Sequence, residues 1–440
     1  MTNHEQRHSL TIYGIHEEKP GPKWQSLFEA TWGAYRRWYL SETVKTQEGG
    51  GTDGRPDLAT CAAALARHMP ELVATWRRLV TLAGDDEVAA RMLTLWDPPA
   101  FAPGCAQLVL ERPQRMFIRN YDYSPELFEQ VVYSSRFSSR RVIGTGDCLW
   151  ALLDGMNDDG LVVSFTFGGR PGSGPGFGIS LVVRYLLEVC STVQEARAVM
   201  VRLPVSMAYN VTISDRTGAV VTVFVAPGAA AEFFDTPLAT NHKGMNGQVP
   251  EYPELARALK SVERQDALLA LVQSAPDSEL AADAFLRPPL HNTAYSRGFG
   301  TLYTAVFLPD TGVVEYRWPG DRWRRSFGSP DGTKDVVLLE PAPGVAWRPQ
   351  RHRGRGPAMS TQDQPNDSSV AELAGQARAA LQALAARPEV EAFQELLALS
   401  AIAGECVGES ARLLAGAGSW SQVAEATGTT KQAAWSRWRG

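Results

Sequence analysis

Trp24, Leu27, Phe28, Trp32, Tyr35 and Trp38 recur at helical spacing and predict one face of an early helix. A glycine-rich run over 49–54 interrupts the pattern as a loop, and Asp57 is placed to cap a second helix through 62–68. Leu72, Trp76, Leu79 and Val80 form a third apolar face within 71–82. The helical texture stops at Trp96-Asp97-Pro98-Pro99, where proline cannot continue a helix. From Gly104 onward the period changes to that of strands. Short β-branched and aromatic runs at 106–110, 116–119, 161–167, 211–214, 220–225, 301–308 and 313–317 are bounded by turn residues such as Asp158-Asp159-Gly160. Helices are predicted between them at 178–191, 193–202 and 252–275. Hairpins interleaved with helix pairs predict packed α and β layers, an α+β class, rather than an alternating βαβ series.

Beyond 347 the pattern fails. Residues 348–369 pass from a basic run into Ser, Asp, Gln and Pro without apolar periodicity, which reads as a linker, and 370–440 is rich in Ala and Leu and reads as a small all-α domain. The 440 residues hold 43 Lys+Arg and 48 Asp+Glu, a formal charge of −5, which excludes a generally basic nucleic-acid binder. No apolar run approaches the roughly 18–20 residues of a membrane helix, and 1–19 reads as polar and charged with no leader. The expectation is a cytoplasmic protein with no membrane partner.

The five cysteines, Cys61, Cys105, Cys148, Cys190 and Cys406, are widely spaced with no C-x-x-C pair, so neither a zinc site nor a disulfide framework is expected. No metal or other cofactor is implied. Cys148 and Cys190 adjoin apolar runs and read as packing. Cys105 differs, because it follows Pro103-Gly104 at the start of an apolar strand, with Arg119 and Asp122 at the end of the next. A hairpin would fold Arg119 and Asp122 back beside Cys105. A cation beside a thiol favours thiolate, and a carboxylate can hold an amine or a proton carrier. On spacing alone, a buried packing cysteine with an ordinary Arg–Asp pair accounts for the same residues.

The ordered set of segments resembles the acyl-coenzyme A:6-aminopenicillanic acid acyltransferase family of self-processing N-terminal nucleophile hydrolases. Related families are choloylglycine hydrolases and penicillin V acylases. The segments carrying the resemblance are Arg67 to Leu72, Gly104-Cys105, Arg119 to Tyr123, Asp154 to Leu161, Tyr209-Asn210, Ser214 to Gly218, and Thr240-Asn241-His242. The resemblance implies a four-layer αββα sandwich over 105–347, preceded by a helical pro-segment, 1–104, that is cut off between Gly104 and Cys105. It implies no cofactor and a small-molecule acyl amide or acyl thioester as substrate. Cys105 would be nucleophile through sulfur and base through its freed amine, Asp122 would hold that amine, and Arg119 would favour thiolate. Asn241 would donate to the oxyanion, with a backbone N–H near Thr166 and Phe167 as second donor. Tyr121, Tyr123, Phe165 and Phe167 would wall an acyl pocket, and Thr301 would contact substrate. Pro103 stands where an acidic residue is common in the family. The glycine-rich run 167–178 reads as a lid rather than a phosphate cradle, since it lacks the Walker lysine and serine.

The last segment, 419–439, resembles a bacterial helix-turn-helix, with Ala424 at a close helix approach and Gly428 in the turn. Thr430, Lys431, Gln432, Ser436 and Arg437 would lie on or near the exposed recognition helix. Six cations against seven anions over 370–440 give little electrostatic footprint, so DNA binding and a docking or homodimerisation role both stay open. The second functional expectation is therefore a regulator, in which a degenerate hydrolase domain senses an acyl amide and controls this module.

Overall fold

The computed structural model describes residues 6–41, 54–244, 250–274 and 276–341. The chain divides into two units, Met1–Arg353 and Gly354–Gly440, and the break falls within the expected linker. The helix-turn-helix segment, with Thr430, Lys431, Gln432, Ser436 and Arg437, lies outside the described residues, as does Cys406.

The elements of the first unit run in this order: β1 (Gln6–Glu17), α1 (Pro22–Ser41), α2 (Leu58–His68), α3 (Val73–Leu82), α4 (Glu87–Met92), β2 (Gly104–Leu110) and β3 (Met116–Tyr123). Next come β4 (Val131–Ser135), β5 (Val142–Asp147), β6 (Ala151–Asn157), β7 (Val162–Phe167), α5 (Ile179–Val189), α6 (Val193–Arg202), β8 (Tyr209–Ser214), β9 (Val220–Val225), β10 (Glu232–Phe234) and β11 (Leu238–Ala239). The last are α7 (Pro253–Ala258), α8 (Ser261–Ser274), α9 (Ser278–Ala284), β12 (Thr293–Ala294), β13 (Phe299–Leu308), β14 (Val313–Trp318), β15 (Asp321–Ser326) and β16 (Gly332–Glu340). Asp57 caps α2 by accepting from the Thr60 N–H, as its position predicts. The helix expected over 252–275 is split in two, with Lys260 at φ +50° between the halves.

The strands form two sheets. The larger has the order β10-β9-β8-β7-β6-β5-β4-β1-β16, and the smaller β11-β2-β3-β13-β14-β15 with β12 on β13. The first element corrects the helical pro-segment, because 6–17 is a strand. Leu10 and Ile12 are buried while Tyr13 is exposed, a period of two hidden among polar residues. β1 pairs antiparallel with β16 and parallel with β4, so this segment is built into the interior of the larger sheet.

α5 packs on β6 and β7, β7 faces β2 of the other sheet, and α8 packs on the far side of β2. Alternation along β2 follows from this. Cys105 and Val109 enter the core between the sheets, while Ala106 and Leu108 join the cluster under α8 and α9 with Leu268 and Phe285.

Candidate active site around Cys105

β2 and β3 pair in unbroken antiparallel register from Gly104 opposite Asp122 to Leu110 opposite Met116. Cys105 therefore stands opposite Tyr121, and both face inward. Arg119 is two residues from Tyr121 and shares its face. Asp122 is three residues from Arg119 and takes the other face. By this parity Arg119 meets the sulfur, and Asp122 stands across from Gly104 with its side chain on the other face.

On the inner face, Arg119 Nη2 donates to Cys105 Sγ at 3.3 Å. Its Nη1 donates to Asp154 Oδ2 at 2.7 Å and to the Leu153 carbonyl at 2.6 Å, on β6 of the larger sheet. Asp154 also accepts from Tyr303 at 2.6 Å and from the Thr145 hydroxyl at 2.8 Å. The rings of Tyr121 and Phe165 lie 5.0 and 5.3 Å from the guanidinium carbon. Arg119 and Asp154 are fully buried, so each charge depends on the other. Burial works against the Arg119 charge, and the anionic forms of Tyr303, Cys105 and Asp154 outweigh it, so its pKa is raised. Cys105 is also fully buried, and burial pushes its thiol up further than Arg119 pulls it down. Arg119 thus pulls toward thiolate, as its place beside the sulfur predicts, while burial in the intact chain outweighs that pull.

On the outer face, Asp122 Oδ2 lies 2.6 Å from Arg264 Nη1 of α8, and Oδ1 accepts from the Thr301 hydroxyl at 2.6 Å. A Cβ at position 104 would stand 3.1 Å from the Asp122 Cβ and 3.2 Å from Oδ2, so any other residue there would press on Asp122. Thr301 is buried here as a support for Asp122.

Asn241 is set on the remaining side. β11 pairs Leu238 with Leu108 and Ala239 with Gln107, and the chain continues alongside β2 to bring Asn241 level with Cys105. The Cys105 N–H donates to Asn241 Oδ1 at 2.9 Å, and Asn241 Nδ2 donates to the Pro103 carbonyl at 3.2 Å. A fixed backbone donor compels the oxygen of the amide to face Cys105. Asn210 Nδ2 donates to the carbonyls of Thr240 and His242, and the Thr166 hydroxyl also donates to Thr240, so the backbone on both sides of Asn241 is clamped. Gly169, at φ +74°, lets the glycine-rich loop approach, since a Cβ there would stand 2.7 Å from the Asn241 carbonyl oxygen.

The sequence reading brings Cys105, Arg119, Asp122 and Asn241 into one site, and the structure adds Asp154, Tyr303, Arg264 and Asn210. Asp154 and Asn210 stand in segments already singled out, without a role. Nothing in the spacing of Arg264 marks it as the partner of Asp122. Among the residues expected to touch substrate, Tyr121, Phe165, Thr166 and Phe167 are buried in the inter-sheet core or the β7–β8 ladder. Tyr123 alone of that group lines a cavity of about 200 Å³, bounded also by Tyr35, Phe101 and Phe128. His242 Nδ1 meets the Ser261 hydroxyl at 2.7 Å, a structural contact.

Residues 109–323 match the model of the family described as acyl-coenzyme A:6-aminopenicillanic acid acyl-transferase. The match includes Arg119, Asp122 and Asn241 and begins after Cys105. It supports an acyltransferase or amidohydrolase domain over that stretch. No curated protein matches the chain's sequence. Among solved structures, the chain is similar to a mutant of conjugated bile acid hydrolase from Clostridium perfringens, at 14% identity and TM-score 0.35, covering 52% of this chain and 96% of that one. It is also similar to penicillin V acylase from Agrobacterium tumefaciens, at 14% identity and TM-score 0.30, covering 49% and 82%. A third is the Caenorhabditis elegans ortholog of N-acylethanolamine-hydrolyzing acid amidase, at 15% and 0.34, covering 47% and 92%. Among the described residues, no helix is long and apolar enough to cross a membrane.

Proposed function

We propose that the chain is a self-cleaving cysteine amidohydrolase or acyltransferase of the N-terminal nucleophile type. It acts on a small acyl amide or acyl thioester through a thioester on Cys105. The order of contacts from helix to sheet to sheet to helix supports the four-layer αββα reading of its core.

One observation carries the proposal: the groups the chemistry needs converge on the Gly104–Cys105 bond from three directions. Arg119 approaches the sulfur, Asp122 approaches the Gly104 backbone, and Asn241 bridges Pro103 and Cys105. In self-cleavage the Cys105 sulfur attacks the Gly104 carbonyl carbon, the C–N bond breaks, and the nitrogen takes the thiol's proton. Water then opens the resulting thioester, leaving a Gly104 carboxylate and a free Cys105 thiol. The new α-amine, with an ordinary pKa of about 7.7–8.0, serves as general base near neutral pH. Asp122 stands where glycine leaves and can hold that amine. Asn241, freed from the Pro103 carbonyl, can present Nδ2 to the oxyanion of a substrate's tetrahedral intermediate.

The test is acyl-enzyme trapping. Processed protein is mixed briefly with a panel of activated acyl thioesters and amides, quenched in acid and weighed. The expected result is a mass increase of one acyl group on the peptide beginning at Cys105, reversed by hydroxylamine. Acylation elsewhere, or none with any donor, would remove Cys105 as nucleophile.

A further inference from the structure

The cavity beside the Cys105 site has an unusual charge balance. Its aromatic walls are Tyr35, Trp38, Phe101, Tyr123, Phe128 and Tyr209, and its ionisable lining groups include Glu126, Glu129 and Asp147. Among the described lining residues there is no Lys, Arg or His. Exposed Glu126 and Leu127 mark its outer edge.

The two inner carboxylates differ. Asp147 Oδ2 accepts from the Cys148 thiol at 3.3 Å, and Asp147 also bonds Ser180 in the first turn of α5, where the helix end offsets negative charge. Burial nonetheless pushes the Asp147 carboxyl up, as it does that of Glu129. Glu129 is held by different donors. Its Oε2 accepts from the Tyr35 hydroxyl and from the Leu149 N–H, the latter at 2.9 Å, while Oε1 is buried with no hydrogen-bond partner. The Cys148 N–H donates to the Tyr35 hydroxyl at 3.0 Å, so the hydroxyl is oriented to donate to Glu129. Cys148 at φ +49° and Leu149 at φ +72° hold the β5–β6 turn in the left-handed region, uncommon for these residue types.

We propose that this cavity binds an ammonium group carried on a small apolar or aromatic body, with Glu129 as counter-ion and the aromatic walls taking the body. Glu129 lines the cavity, and an ammonium group bound there would pair with its carboxylate. Aromatic faces attract the same group. Burial pushes the Glu129 carboxyl up to about 7, and a bound cation would draw it back down.

The cavity also fixes where the ammonium would sit in a substrate. Phe101, a few residues before Cys105, packs its ring on Phe165 and on Tyr123, at centroid distances of 6.1 and 5.4 Å. Cleavage after Gly104 would free the end of the segment that carries Phe101, which lines the cavity. The substrate would then carry its cationic group on the portion that reaches past Tyr123. Assigning the ammonium to the substrate rests on the Cys105 reading; the binding itself does not.

The experiment uses the full-length chain with Cys105→Ala, which neither cleaves nor turns over. It is titrated calorimetrically at pH 8 with 2-phenylethylammonium and, separately, with its neutral isostere 2-phenylethanol. The cation is expected to bind at least tenfold more tightly than the alcohol. Adding Glu129→Gln should remove that preference while leaving binding of the alcohol unchanged. Equal binding of the two ligands, binding of neither, or an unchanged cation preference in a folded Glu129→Gln protein would overturn the proposal. If Glu129→Gln does not fold, the isostere comparison on the parent decides. Loss of this preference leaves acylation of Cys105 untouched, and failure of acylation leaves the preference standing, so the two proposals fail separately.

Discussion

The backbone N–H of Cys105 donates to the side-chain oxygen of Asn241 at 2.9 Å, while the nitrogen of the same amide reaches the Pro103 carbonyl. Asn241 thus holds the chain on both sides of Gly104, in the position a neighbouring strand would occupy. Its geometry before cleavage differs from that expected of an oxyanion donor, because the donor is engaged by Pro103 until the bond is cut.

Asn241→Ala is accordingly expected to slow self-cleavage by releasing the chain on both sides of Gly104, and to lower turnover by about 10²–10³ for the loss of one oxyanion donor. Asn241→Asp keeps the acceptor for Cys105 and loses the donor, so it should fail to a similar degree. A time course of intact mass, with circular dichroism to check the fold, measures the first effect. A rate close to wild type in the aspartate variant would remove the donor from the mechanism.

The fragments are expected to stay together after cleavage. β1 is hydrogen-bonded on one side to β16 and on the other to β4, and both of those strands follow the cut. Fragments 1–104 and 105–440 should co-elute on size exclusion in native buffer and separate only in denaturant. Dissociation in native buffer would contradict the register of β1.

The Arg119–Asp154 pair should dominate the stability of the site. Both groups are fully buried, and Asp154 also receives Tyr303 and Thr145. Asp154→Ala leaves an unpaired buried guanidinium and should cost about 3–5 kcal/mol in urea unfolding. It should also disturb the approach of Arg119 to the sulfur. A cost below about 1 kcal/mol would mean that water or a neighbour replaces the carboxylate.

Glu129 gives stability a pH dependence of a particular sign. Its carboxyl is raised from 4.5 to about 7 by burial. Between those values the folded chain binds more protons than the unfolded chain, so this group's contribution to stability falls as pH rises through the window. Glu129→Gln removes the effect. The stability difference between variant and wild type should therefore grow in favour of the variant from pH 4.5 to 7, by up to about 3 kcal/mol. Chemical denaturation of both proteins across that range checks it, and a difference independent of pH would contradict the assignment.

Much of the site was legible because strand parity and turn chemistry are local. Gly104 before an apolar strand, and Arg119 and Asp122 at the end of the next, place a hairpin with chemistry at one end. The same parity separates Arg119 from Asp122, a consequence visible in their spacing of three. Other features were hidden for physical reasons. In β1 only Leu10 and Ile12 signal burial, and polar neighbours mask a strand whose partners are more than a hundred residues away. Arg264 reaches Asp122 from a helix far along the chain, and nothing local announces that pairing. The dominance of burial over Arg119 at the Cys105 thiol depends on how completely two sheets close over it, a tertiary quantity.

Intact-mass spectrometry of freshly purified full-length protein, followed over prolonged incubation, tests the central claim most directly. The account predicts two chains whose masses correspond to 1–104 and 105–440, with a free α-amine on Cys105, and a single chain from Cys105→Ala under the same conditions. A wild-type protein that remains one chain throughout, with no free Cys105 amine, would contradict it.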